Sequence, residues 1–172
     1  MPGFIVCGTG NSQIPATLET RRKHRWVFEA IGGLEGNDQL ALLVLQSAQR
    51  PNFKLEEPEM HHDQEVARFA GKQSWEPISL KWYDCEQPFD GSRAIYNWLK
   101  TVVDITQANV NPPSVYKKQA RLSMTDGMGG YTESWTICNC WPKEVNWGDL
   151  DYTSTDIATI EAQMRYDRAM RA

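Results

Sequence analysis

The stretch EPEMHHDQEVARFAGKQSWEPISLKWYD, residues 57–84, decides how the chain is expected to fold. In its last part, Ile78, Leu80 and Trp82 alternate with polar residues, which is the period-two pattern of a strand with one buried face. A shorter strand is expected over 65–70, with a turn-like segment between the two. The stretch therefore predicts a β-rich protein.

Upstream lies AQRPNFKLEEPEMHHD, residues 48–63, which contains two prolines and, after Lys54, four acids. Compact domains seldom carry an unstructured connection of this length unless it has a function. We therefore expect a long loop over 48–64. It is either a functional arm or a segment that stays disordered until it binds something.

The same periodicities predict the other elements. Residues 90–104 follow the i, i+3, i+4, i+7 rule of an amphipathic helix, which Asp90 or Ser92 can cap. The glycines of TDGMGG, residues 125–130, predict a hairpin turn. Further strands are expected at 24–31, 40–45, 116–124, 131–137 and 158–167. The sum is a mainly β domain with one packed helix.

Length and composition limit the class of protein. A chain of 172 residues with 41% hydrophobic residues and seven tryptophans can fill one core, so we expect a single domain over 23–172 behind an N-terminal arm over 1–22. The net charge of −4 argues against a basic groove that grips nucleic acid. No apolar run approaches the roughly 20 residues of a membrane helix, and the N-terminus does not resemble a signal peptide. The expected protein is soluble, without a membrane anchor, and made in the cytoplasm.

His61 and His62 do not form a convincing metal site. Consecutive side chains on an extended segment point to opposite faces, and the remaining histidine, His24, is distant in sequence. Cys138 and Cys140 form an isolated C-x-C pair, a weak zinc signal that is better read as two free thiols. No catalytic pairing of acids and no nucleophile motif is visible. We therefore expect neither an enzyme nor a cofactor, and interpret the paired histidines as part of a structural arm.

Charge is unevenly placed along the chain. Arg21, Arg22 and Lys23 cluster before the first strand, whereas acids cluster in and after the long loop. These are either two solvated patches or complementary surfaces that would steer and register subunits in an assembly. The last strand also has a long polar face, as in a sheet that lines a wide channel.

Two stretches carry a resemblance to a known family. The first is ARFAGKQSWEPISLKWYD, residues 67–84, with a glycine-basic turn, an aromatic, a proline and an alternating strand, followed by the amphipathic helix. The second is CWPKEVNWGDLDYTSTDIATIEAQMRYDRA, residues 140–169, in which a Trp-Pro turn leads to an acidic loop and a final long strand. In this order and spacing they resemble the tail tube proteins of contractile-tailed bacteriophages, over most of residues 23–170.

That resemblance implies two antiparallel sheets that form a sandwich or distorted barrel, flanked by one helix. It also implies that six subunits join their sheets into an inner β-barrel, and that the hexameric rings stack into a hollow tube inside a contractile sheath. The implied partners are other copies of the chain, the tail sheath protein, baseplate and tail terminator proteins, and, transiently in the lumen, the tape measure protein and DNA. The implied location is the tail of a virion assembled in the host cytoplasm.

The resemblance also suggests roles for particular residues. The expected inter-ring or inter-subunit contacts are Arg21, Arg22, Lys23, Glu56, Glu57, Glu59, His61 and Asp63. The lumen-lining candidates are Glu161, Gln163, Arg165 and Asp167. A like-charged lumen would let DNA slide without sticking.

Other functions stay open on the sequence. The tube of a secretion system or of a phage-derived bacteriocin would share the fold. A monomeric β-sandwich module could bind a ligand such as a sugar through exposed Trp or Tyr side chains. A weaker alternative is a metal-dependent enzyme built on His61, His62 and Asp63.

Overall fold

The computed structural model describes residues 21–32, 34, 42–62, 64–126 and 128–172. The strands, in chain order, are β1 (Trp26–Ile31), β2 (Leu45–Ala48), β3 (Phe53–Leu55), β4 (Glu59–His62), β5 (Glu65–Arg68), β6 (Gln73–Trp75), β7 (Ile78–Tyr83), β8 (Val103–Asp104), β9 (Asn109–Val110), β10 (Lys118–Thr125), β11 (Tyr131–Asn146), β12 (Thr159–Arg165) and β13 (Arg168–Arg171). The helices are α1 (Gly91–Val102) and α2 (Pro113–Tyr116). The prediction of a mainly β chain is confirmed.

The main sheet is a single antiparallel path in the order β1-β10-β11-β12-β7-β2, and β13 also pairs with β11. The first part of β11 pairs with β10 and β13, and its second part pairs with β12. The path is open at β1 and β2, so the described strands form a sandwich of two halves joined through β11 and do not close into a barrel.

Strand β11 is 16 residues long and bends near its middle. Asn139 has a φ of 58°, in the left-handed region that asparagine tolerates better than most residues. The register with β12 shifts between Pro142 and Glu144, where proline cannot donate a ladder hydrogen bond. These two irregularities allow one strand to belong to both halves of the sandwich.

The two halves and α1 enclose one hydrophobic core. Side chains from β1, β10 and β11 meet those from β7 and β12 in a single buried cluster. Its large members with almost no exposed surface are Ile31, Leu34, Ile78, Leu80, Trp82, Ile95, Trp98, Ile137 and Met164. The alternation that predicted β7 is confirmed, since its apolar side chains are the buried ones.

Helix α1 presents one face to this core, as its periodicity predicts. Asp90 caps the helix by accepting a hydrogen bond of 2.8 Å from the backbone N–H of Arg93. A Cβ on Gly91 would lie 3.4 Å from the side chain of Trp82, so the first turn of the helix contacts β7 closely. The helix ends at residue 102, slightly before the expected boundary at 104.

The expected strand over 40–45 is wrong for its described residues. Residues 42–44 form a short 3₁₀ turn, and β2 begins only at Leu45. Leu43 in that turn is 72% exposed, so the apolar run is not buried on both faces. A short, uniformly apolar run has no periodicity, and here the pairing of Leu45 with Trp82 on β7 decides where the strand starts.

The expected loop over 48–64 is also corrected. Its described residues contain β3 and β4, which pair with β6 and β5. The sequence reads as a loop because both strands are short and exposed and lie beside Pro51 and Pro58. The pairing partners lie downstream in sequence, in the segment 64–76, part of which was expected to be a simple turn.

Three differences concern the second half of the chain. The Trp141-Pro142 pair lies inside β11 and does not form a turn. The final strand is divided into β12 and β13. The reason is that β12 pairs with the second part of β11, whereas β13 pairs with the first part, on the other side of the bend. The start of the strand expected at 116 is also displaced, since Tyr116 ends α2 and β10 begins at Lys118. The hairpin turn between β10 and β11 is confirmed.

Candidate functional site: a hairpin arm with a basic groove at its base

The feature that leaves the sandwich is a long hairpin, which we call the hairpin arm, residues 52–76. Beyond the β3–β6 ladder, the backbone hydrogen bonds continue from Glu56 to Lys72 at 2.9 Å and from Phe69 to Pro58 at 3.1 Å, and then into the β4–β5 ladder. A Cβ on Gly71 would lie 2.8 Å from Cδ of Pro58, so only glycine fits at this crossing. The arm is therefore one continuous paired element.

Arg68 faces acidic side chains across the arm, and His61 lies beside one of these acids on its own strand. Arg68 Nε lies 2.9 Å from Glu59 Oε1 and 3.5 Å from Glu57 Oε1, and His61 Nε2 lies 3.8 Å from Glu59 Oε2. All of these groups are exposed, so the pairs contribute little to folding. Glu56 is exposed as well, whereas Asp63 lies outside the described residues. Two of the acids expected to contact a neighbour thus already have a cationic partner in their own subunit.

The arm is apolar as well as charged. Met60, Val66 and Phe69 are 56%, 44% and 54% exposed, which is unusual for side chains of this size on one hairpin. At its base, Phe53 packs on Trp75 with ring centroids 4.9 Å apart, and Trp75 packs on Tyr166 at 5.8 Å. This aromatic stack connects the arm to the core, while its outer part offers apolar surface for a partner.

Near the base of the arm, three arginines from distant parts of the sequence converge on Glu133. Arg21 donates to one carboxylate oxygen, Arg50 Nε lies 3.9 Å from the other, and Arg171 Nη2 lies 3.6 Å away. The indole N–H of Trp135 donates to the same carboxylate. The Glu133 side chain is only 3% exposed, whereas the arginines are about half exposed. Through these ion pairs the carboxylate connects the start of the described chain, the base of the arm and β13.

The electrostatics of this cluster keep Glu133 ionised. Burial acts to raise its pKa, but the hydrogen bond from Trp135 and the charges of Arg50, Arg171 and Arg21 together outweigh it, so the pKa lies below its usual value. A carboxyl group with a lowered folded-state pKa stabilises the fold above its unfolded pKa and loses that contribution as pH falls through the folded value.

We expect Glu133→Gln to lower stability most at neutral pH. The difference in urea midpoint between the parent chain and the variant should be largest at pH 7 and shrink as the pH falls below about 4.5, the usual glutamate range. Trp135→Phe, which removes the indole donor but keeps the charge, should move the loss of stability to higher pH. Urea unfolding at a series of pH values measures both effects, and a difference that stays constant with pH would contradict the assignment.

A groove of about 630 Å³ lies beside this cluster, between the start of β1 and the edge strand β2. We call it the basic groove. Its chemically distinctive lining residues are Arg21, Lys23, Arg50, Trp26, Trp135 and Met124. Its cations come from both sides of the opening, and its other distinctive lining residues are apolar or aromatic. This combination is suited to binding an apolar segment that carries negative charge.

The lumen-lining candidates fall into two groups. Glu161, Gln163 and Arg165 lie on the face of β12 opposite the buried side chains, and Glu161 accepts a hydrogen bond of 2.6 Å from Ser79 Oγ on β7. Asp167 lies outside β12, in the break before β13. It accepts a hydrogen bond of 3.0 Å from Lys117 Nζ, which together with a bond from Asn139 lowers its pKa. The structure thus brings the first three together and separates Asp167.

Cysteines and histidines form no metal cluster in the residues that the structure describes. Cys140 is buried, and burial raises the pKa of its thiol to about 12. Cys138 is a free, partly exposed thiol, which agrees with the prediction of two unpaired cysteines. Among the described helices, none has the length and apolar character needed to cross a membrane.

Sequence reasoning missed the Glu133 cluster. The alternation of β11 placed Glu133 on the same face as Ile137, and an acid on a face that becomes buried is the signal that could have revealed a compensating cation. The sequence around Arg50 and Arg171 has no feature that indicates a contact with a buried acid. Of the expected contact residues, Arg21 is already bonded to Glu133, while Arg22 and Lys23 are exposed.

Among the described residues, the antiparallel sandwich has open edges and the hairpin arm has exposed apolar side chains, which are features typical of proteins that assemble with other chains. Residues 45–170 match the family described as T4-like virus tail tube protein gp19. The chain belongs to this family, and its function is that of a structural tail tube subunit, as the resemblance predicts. No curated protein sequence matches the chain.

Solved structures with the same fold include chains of an extracellular contractile injection system and of the anti-feeding prophage. A chain of the sheath-tube complex of an extracellular contractile injection system, PVC, in the extended state is 20% identical with a TM-score of 0.71, covering 96% of this chain and 99% of that one. A chain of the anti-feeding prophage tube terminating cap is 19% identical with a TM-score of 0.71, covering 91% and 93%. A chain of the PVC sheath/tube terminator is 18% identical with a TM-score of 0.67, covering 91% and 99%. At these identities the likeness shows the fold.

Proposed function

We propose that the chain forms hexameric rings that stack head to tail into a hollow tube inside a contractile sheath. The observation that carries this proposal is that β1 and β2, the two ends of the main strand path, have no strand partner on their outer sides among the described residues. Open edges expose backbone N–H and C=O groups that another strand can pair with. Pairing of such edges between subunits, repeated around a rotation axis, generates a closed ring.

The lumen would be lined by the polar face of the β2-β7-β12-β11 half. Support comes from Glu161, Gln163 and Arg165 on β12 and from Lys81 beside them on β7, whose side chains alternate with core residues. This face has both signs of charge and no large apolar side chain on β12, so it would not bind a passing polymer tightly. Asp167 is not part of this surface.

The proposed partners follow from the family and from the assemblies in which the fold occurs. They are other copies of the chain, a sheath, a terminator and a baseplate, with a tape measure protein and DNA in the lumen during assembly and ejection. Assembly would take place in the host cytoplasm and the product would be part of a virion tail. A tube of an injection or secretion system, or of a bacteriocin, is the second candidate, supported by the injection-system origin of the similar folds. Capsid and terminase genes beside the coding sequence would favour the phage tail.

Electron microscopy of the purified protein over a concentration series tests the proposal. We expect rings of six subunits at low concentration and tubes of uniform width at high concentration. Each ring that stacks on another covers the contact surfaces exposed at the end of the ring before it. A two-dimensional class average of end-on rings measures the symmetry. A protein that stays monomeric throughout and binds a small ligand in a saturable way would instead support the β-sandwich binding module.

A further inference from the structure

A second exposed surface lies between β11 and β12. We call residues 147–158 the acidic loop, since they contain three aspartates and no lysine or arginine. Leu150 is 92% exposed and Tyr152 is fully exposed, so two large apolar side chains project into solvent at its tip. Two such side chains on one loop are typical of a contact surface.

The acidic loop is ordered by its own hydrogen bonds. Asp151 accepts from the backbone N–H and the hydroxyl of Thr153, both at 2.8 Å, and the backbone N–H of Gly148 donates to Asn146 Oδ1 at 3.0 Å. Trp147 packs edge-on against Tyr96 of α1, with centroids 6.3 Å apart. The loop therefore holds its tip in place before binding, which reduces the entropy lost when a partner docks.

The acidic loop and the basic groove are complementary. The loop has a formal charge of −3, and the groove is lined by Arg21, Lys23 and Arg50 around an apolar floor. Glu133 beside the groove neutralises one of these charges, which leaves an excess of positive charge. The apolar tip residues Leu150 and Tyr152 match the tryptophans and the methionine of the groove in chemical character.

The two surfaces lie at opposite ends of the same sheet. In the β7–β12 pair, Thr159, which follows the acidic loop, is opposite Tyr83, whereas Met164 at the other end is opposite Ile78, next to the base of the arm. Arg50 of the groove is two residues from the start of the arm, so the groove is on the arm side. Surfaces at opposite ends of a subunit meet when copies stack head to tail.

We propose that the tip of the acidic loop, Leu150 to Tyr152, docks into the basic groove of a second copy of this chain in the adjacent ring. The inference rests on the proposed stacking of rings and adds the identity of the contact. It also assigns Lys23 and Arg21 to a contact with the acidic loop, and not to a contact with the acids of the hairpin arm. The arm and the groove lie on the same end of the subunit, so in a head-to-tail stack both face the opposite end of the next ring.

Photo-crosslinking in the full-length protein tests this contact. Tyr152→p-benzoylphenylalanine places a probe at the loop tip, and mixing isotopically light and heavy chains distinguishes crosslinks between copies from those within one. We expect crosslinks between copies that map to residues 21–26 or 46–50. Crosslinks to any other surface, or none in samples in which tubes are visible, would overturn the inference and leave the tube proposal intact. An absence of both tubes and crosslinks between copies would contradict both.

A reciprocal probe and a charge exchange complete the test. Ser47→p-benzoylphenylalanine, in the groove wall, should crosslink to residues 147–158 of another copy; crosslinks to residues 1–20 would show that the N-terminal segment occupies the groove and would overturn the proposal. Lys23→Glu should lower the yield of crosslinks from position 152 roughly tenfold, and Asp149→Lys in the same chain should restore it. Arg93→Glu, the same charge change on the exposed side of α1, should leave the yield unchanged.

Discussion

A chain in which residues 57–71 are replaced by Asn-Gly should fold normally and form no stacked tubes. The replacement joins Glu56 to Lys72, which are already paired through a backbone hydrogen bond of 2.9 Å, by a two-residue turn suited to a hairpin. It removes the exposed apolar side chains Met60, Val66 and Phe69 and keeps the aromatic stack at the arm's base. We expect the loss to be complete, because the arm is the longest element that leaves the sandwich in the part of the chain that the structure describes.

Two measurements separate assembly from folding in this variant. Electron microscopy should show single rings or monomers and no tubes. The melting temperature should stay within roughly 4 °C of the parent chain, which corresponds to about 1 kcal/mol for a chain of this length. Tubes of normal length would contradict the role of the arm, and a large drop in melting temperature would show that the outer arm supports the fold.

A pair of charge variants tests whether the acids of the arm act by charge. Glu57→Lys with Glu59→Lys should block tube growth if these carboxylates meet cations of a neighbour, because reversal places like charges together. Glu57→Gln with Glu59→Gln keeps the size of both side chains and should weaken growth much less. Equal growth of the two variants would show that Glu57 and Glu59 only pair with Arg68 in their own subunit.

Trp98→Ala should cause the largest loss of stability among single changes in α1. Trp98 is 1% exposed in the core, and its indole N–H donates a hydrogen bond of 3.0 Å to the carbonyl oxygen of Tyr116. Truncating a buried tryptophan costs about 3–5 kcal/mol through lost burial and the cavity left behind. The expected fall in melting temperature is roughly 6–20 °C, measured by circular dichroism.

Tyr96→Ala on the same helix is the matched control. Tyr96 is 41% exposed, packs edge-on against Trp147 and has Lys100 Nζ 4.6 Å from its ring centroid. Contacts of this kind contribute about 0.5–1 kcal/mol each at exposed sites, so the effect should be several times smaller than that of Trp98→Ala. Similar losses in the two variants would show that the helix depends on its outer contacts as much as on the core.

The candidate site was less predictable than the fold. The acids of the arm and the cluster at residues 21–23 are visible in the sequence as charge runs, because runs are local. Glu133 meets Arg21, Arg50 and Arg171 only after the chain has folded, and these residues are separated by up to 112 positions. The sequence around a single buried acid does not indicate which distant cations will pair with it.

The amino-acid sequence alone determined β7, α1 with Asp90 or Ser92 as its cap, and the turn between β10 and β11; the structure places the cap at Asp90. Each of these depends on periodicity or on residues within one turn, so local physical chemistry is sufficient. Only the tertiary structure decided that residues 52–76 form an arm, because each strand of the arm requires a partner up to 22 residues away. It also decided the bend of β11 and the break between β12 and β13, since both follow from one strand pairing in two halves of the sandwich.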